Sequence, residues 1–136
     1  MKKIFYIFIL FLFKFNTAYS LIEVDITRGN LDPLPIAVSP LHVDPLSDNY
    51  QDTKTKELGE LISSVVEKNF RSTGLFNPLN KDAFVQKPDI AHLKPRFEDW
   101  RLITAQALVT GKLLLKDEKL KIEFRLWDVA ANKEMI

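Results

Sequence analysis

The residues able to do chemistry are few and scattered. The two histidines, His42 and His92, stand fifty residues apart in stretches that read as loops. Zinc needs three or four ligands, and no H-x₃-H or C-x₂-C pairing surrounds either one. Asp44 and Asp89 lie near them in sequence, but such residues in loops are ordinarily solvated. Ser39, Ser47, Ser63, Ser64 and Ser72 occupy no G-x-S-x-G context, so no acyl-transfer nucleophile is indicated. Glu98 and Asp99 are adjacent on a predicted helix and point in different directions, which does not suit a proton-sharing pair. Gly29, Gly59, Gly74 and Gly111 are isolated, so no loop is built to cradle phosphates. These patterns assign no catalytic residue, no metal and no cofactor. The enzyme reading they leave as an alternative, a small exported envelope hydrolase, needs convergent acid and base groups that the sequence does not bring together.

The chain's start carries a different signal. In "MKKIFYIFILFLFKFNTAYS", Lys2 and Lys3 precede an unbroken apolar run from Ile4 to Phe13, and Ala18-Tyr19-Ser20 supplies small residues at −3 and −1 of a cleavage site. That is the build of a secretory signal peptide over residues 1–20. A membrane span needs about 20 apolar residues, and Lys14 cuts this run short, so no span is expected after cleavage. Removal takes three lysines and no acid, so the formal charge of +1 on 136 residues becomes −2 on the remaining 116. A mildly acidic chain without a basic stripe argues against nucleic-acid binding. There is no cysteine, so lipid attachment through one is excluded, and the exported chain must hold together by its own core, which fits a bacterial periplasm.

The positioning elements follow from periodicity. "LIEVDIT", Leu21 to Thr27, alternates with Ile22, Val24 and Ile26 on one face and Glu23, Asp25 and Thr27 on the other, a half-buried strand. A turn-rich stretch leads to a short apolar strand, "IAVSP", closed by Pro40, and residues 41–53 read as a loop. From Thr53 to Ser72 the period becomes helical: Leu58, Leu61, Ile62, Val65, Val66 and Phe70 stack along one side, which is expected to be core. Gly74 suits the left-handed position after the helix. "LFNPLN" reads as a short strand, residues 81–95 as surface loop with a turn of helix, and "RFEDWRLI" as a shorter helix burying Phe97, Trp100 and Ile103. Two strong strands follow at 107–115 and 120–129. In the second, Leu120, Ile122, Phe124 and Leu126 share one face, while Lys121, Glu123 and Arg125 face solvent with Trp127 as the exception. An exposed Trp127 would be an interface anchor, and a covered one would lie under a helix or a further domain. The fold class is α/β, a mixed β-sheet packed against two α-helices.

Four segments carry a resemblance. "VDITRGNLDPLPIAV", "STGLFNPLN", "WRLITAQALVTGKL" and "EFRLWDVAANKEM", in this order, resemble the start of the mature TolB family of the bacterial Tol–Pal system and cover almost all of residues 22–136. The resemblance implies a non-enzymatic periplasmic protein that supports outer-membrane integrity and invagination during cell division. It implies an N-terminal α/β domain similar to the anticodon-binding domain of some tRNA synthetases, followed by a six-bladed β-propeller that binds Pal. Residues 21–136 are then expected to be that first domain, incomplete at its C-terminal end, with none of the propeller and no Pal contact of their own. The family's N-terminal strand contacts TolA, which places the partner-binding residues at Leu21, Ile22, Glu23, Val24, Asp25, Ile26 and Thr27.

Overall fold

The computed structural model describes residues 32–136. Leu34–Val38 (β1) lies at the middle of a mixed sheet, parallel to Phe76–Pro78 (β3) on one side and to Ala107–Lys116 (β4) on the other. β4 pairs antiparallel with Lys119–Asp128 (β5), and β5 with Lys133–Glu134 (β6), giving the order β3-β1-β4-β5-β6. Residues 41–53 are not wholly loop. Pro40 interrupts the β1 ladder, and the chain then rejoins β4 as His42–Val43 (β2), opposite Lys112 and Leu113. A proline cannot donate to a ladder, so the break falls where the sequence places it, but pairing resumes two residues later.

Helix α1, Thr53–Ser72, begins where Asp52 accepts from the Lys54 amide and ends before Gly74, whose φ of 72° is left-handed. Its boundaries match the sequence reading, but its buried face does not. Leu61 and Val65 are 61% and 52% exposed, whereas Thr55, Gly59 and Ser63 are buried. The reason is close approach. A Cβ on Gly59 would stand 3.0 Å from Leu113 Cδ2 and 3.1 Å from the Leu41 carbonyl oxygen, so only a small residue lets the helix lie this near the sheet. The line of contact therefore runs through Thr55, Gly59 and Ser63, flanked by Ile62, Val66 and Phe70. Ser63 satisfies its hydroxyl on the Gly59 carbonyl one turn back, at 2.9 Å.

Alternation along the strands divides the core in two. Ile36, Val38 and Val109 meet Val66 and Phe70 under α1. Ala37, Leu108, Trp127 and Val129 face the other way, onto the segment linking β3 to β4. That segment holds a 3-10 turn at Lys81–Ala83, a one-turn helix α2 at Pro88–Ala91, and helix α3 at Phe97–Leu102. Thus three helices rather than two cover the sheet, and they lie on both faces. Trp100, 1% exposed, takes the central place expected of it, with Phe97 and Ile103 packed around it. Trp127 is covered too, at 7% exposure. Its indole N–H donates to Thr110 Oγ1 at 2.8 Å, and Phe97 of α3 packs edge-on against its ring, so it is a core residue here, not an exposed anchor. Conversely, Leu120 and Phe124, read as core, are 44% and 42% exposed, whereas Ile122 and Leu126 on the same face of β5 pack into the clusters under α1. Asp117 and Glu118 both take positive φ in the two-residue β4–β5 turn, and the Asp117 amide donates to Asp48 Oδ2 at 2.8 Å.

Candidate functional site

The partner-binding segment read from the sequence, Leu21 to Thr27, lies outside the described residues. What the described residues show is the kind of sheet such a strand would work beside. One edge is β3, three residues long and closed by Pro78; the other is β6, two exposed residues. Short edges containing proline or charge are blunt templates for a passing strand. β6 spans two residues only, so beyond it the outer side of β5 from Lys119 to Arg125 has no strand partner among the described residues.

The hydroxyls surveyed as nucleophiles are held by backbone. Ser39 Oγ donates to the Pro40 carbonyl, Ser63 Oγ to the Gly59 carbonyl, and Ser47 Oγ accepts from the Leu115 amide. Asp99 is paired with Arg96 at 2.7 Å. Among the described residues no group of three or more His, Asp or Glu is arranged to hold a metal ion. No helix among them is long and apolar enough to cross a membrane.

One constellation escaped the sequence reading. His42, on β2 rather than in a loop, stacks on His92, the residue after α2, with ring centroids 4.2 Å apart and planes within 6°. No spacing rule joins positions fifty apart. The only available signal was that the apolar His42–Val43 pair could resume the broken strand and bring His42 beside the linking segment. His92 Nδ1 donates to the Pro88 carbonyl at 3.1 Å, and its own carbonyl accepts from Arg125 Nη1 at 3.0 Å. Burial, and next the neighbouring His92, push the His42 pKa below its ordinary value, opposed by the Asp89 and Asp44 carboxylates. Asp44 in turn is held below the usual carboxylate range, chiefly by the Leu46 amide and also by Lys112, whose ammonium is 3.3 Å away. Lys112 reaches Glu123 as well, at 3.6 Å. The Lys121–Glu123 hydrogen bond at 2.7 Å raises the lysine and lowers the carboxyl. An open groove of about 790 Å³ runs past His42, with Lys56 and Glu60 of α1 on one wall and Lys87 and Asp89 on the other.

With this geometry in place, the comparisons with known proteins are specific. The TolB amino-terminal domain family matches residues 22–135. The chain is 63% identical over 133 residues to the Tol-Pal system protein TolB of Pelagibacter ubique (strain HTCC1062), covering 96% of this chain and 30% of that protein. It therefore spans about a third of the length of that relative. Among solved structures, the fold is shared with the crystal structure of TolB from Acinetobacter baumannii: TM-score 0.55 at 17% identity, covering 78% of this chain and 22% of the other.

Proposed function

This chain belongs to the TolB family, and from that premise we propose that it is an exported, non-enzymatic interaction component of the Tol–Pal system that contacts TolA through Leu21–Thr27. The observation that carries the reading is the 63% identity over nearly the whole chain to a relative named for that system. On this reading residues 1–20 are a cleaved signal peptide and the mature chain works in the periplasm, in support of outer-membrane integrity and invagination at division. The alternation of Ile22, Val24 and Ile26 with Glu23, Asp25 and Thr27 gives the segment one apolar face. Main-chain pairing then supplies affinity, and side-chain alternation sets register. Carboxylates and cations alternate along the open groove beside His42, and no activated nucleophile lines it, so nothing there favours a hydrolase.

The test is a pull-down of the mature chain with the periplasmic domain of TolA, alongside a variant lacking residues 21–27. Binding by the former and loss by the latter, with the circular-dichroism spectrum unchanged, is the expected result. Equal retention of both would remove the assignment of Leu21–Thr27.

A further inference from the structure

We propose that His42 and His92 form a proton-operated latch that fastens the α2 segment to β2, closed while the stacked pair carries at most one proton and released when both rings are charged. The rings are parallel and 4.2 Å apart, a geometry that two neutral imidazoles, or one neutral and one protonated, hold readily and that repulsion between two imidazolium ions opposes. Both ends of the latch are anchored: His42 by the β2–β4 ladder, and His92 by its ring bond to the Pro88 carbonyl and by Arg125 on its own carbonyl.

The surrounding charges set how many protons the pair accepts. Asp44, just after β2, and Asp89 on α2 favour a first proton, and Lys112 on β4 opposes it. Lys56 and Glu60 of α1 and Lys87 before α2 line the same groove as His42, with the Tyr50 phenol beside them. Lys112, Glu123 and Arg125 line the pocket beside His92. A second proton meets the charge of the first across the stack. Because the folded His42 pKa lies below its ordinary 6.5, the latch's contribution is complete above about pH 6.5 and is lost as pH falls from there through the lower folded value. Asp44 stays ionised throughout that window. Release reaches the core directly, because Ala91, one residue before His92, is fully buried in the cluster containing Trp100 and Trp127.

Amide hydrogen exchange of the full chain, corrected for intrinsic rate, tests this at pH 7.5 and pH 5.0. In the native sequence the peptide spanning residues 84–94 should lose protection by roughly tenfold or more at the lower pH, a local opening rather than global unfolding. His42→Phe keeps a flat ring in the stack and removes the titrating group, so its peptide should show no such loss; an undiminished acid response in this variant overturns the proposal. Titration of the imidazole Cε1–H resonances of the unmodified chain decides independently of how the variant folds. Two steps displaced from each other are expected, as for coupled groups. Two superposed, independent single-site curves would sink the latch.

Discussion

Gln86 is 4% exposed, and its Oε1 accepts from two donors: the Trp100 indole N–H at 3.0 Å and the Arg96 amide at 2.9 Å. This fork ties the stretch before α2 to the start of α3. Replacing Gln86 with leucine keeps most of the volume but strands both donors. A buried donor without a partner costs about 1–3 kcal/mol, and the part-buried Arg96 amide falls at the lower end because water can reach it. Against this, Gln86 Nε2 has no partner, so leucine also removes one unsatisfied group of similar cost. Two losses, one at the lower end, and one gain leave a net destabilisation of about 1 kcal/mol. For a domain of this size each kcal/mol lowers Tm by roughly 4–8 °C. Urea and thermal unfolding followed by far-ultraviolet circular dichroism measure it. The Trp100→Phe background isolates the mechanism, since without the indole N–H the penalty of Gln86→Leu should shrink by about 1 kcal/mol or more. A neutral or stabilising Gln86→Leu, or strict additivity with Trp100→Phe, would refute the idea that the fork carries this segment.

Two further substitutions probe the sheet and its charges. Gly111 lies in β4 opposite Phe124, where a Cβ would collide with the Glu123 carbonyl oxygen and approach Leu41 Cδ2 to 2.8 Å. Gly111→Ala should therefore lower stability by about 1–3 kcal/mol despite alanine's smaller unfolded-state entropy, checked by denaturant unfolding with an unchanged m-value. Asp44, whose folded pKa is depressed, contributes stability that is present above its unfolded value near 3.8 and lost as pH falls through the folded one. Asp44→Asn should accordingly be less stable than the native chain at pH 7, with the gap closing below about pH 3.8 in thermal melts across that range.

The sequence made element types legible and side-chain environments less so. Helix α1 and the β4–β5 hairpin were plain from periodicity because each is long enough for its period to repeat. β2 was missed because two residues have no period, and its pairing depends on β4, seventy residues away. The face of α1 was misread for a definite reason. Hydrophobic periodicity presumes that the largest apolar side chains point inward, whereas closeness to the sheet selects Gly59, and the buried stripe rotates toward Thr55 and Ser63. Trp127 looked anomalous on a polar face only because that face is polar at one end. At the other, α3 covers it, and Thr110 across the strand accepts its N–H. The histidine stack was illegible for the same reason as β2, since it exists only once β2 is in register. The proposed partner segment, Leu21–Thr27, lies outside the described residues and rests on its alternation and the family resemblance alone.

The two faces of the sheet are held by different physics. On one, a five-turn helix lies in close contact through small residues, and its restraint is spread over the length of α1 and does not depend on pH. On the other, the segment between β3 and β4 has only short helices, and single polar contacts fix it: the Gln86 fork, Arg125 on the His92 carbonyl, Arg101 on the Val129 carbonyl and Asn132, and the imidazole stack. Contacts of that kind open one at a time and at low free energy, and one of them includes His42, whose pKa burial lowers. Arg125 and Trp127 both come from β5, and so does the register that pairs β6 with Trp127 and Asp128. The α2 segment lies against β2 and β4, and Arg125 of β5 holds the carbonyl of the residue that follows it. Here the division follows from where the glycine and the histidines fall in the sheet.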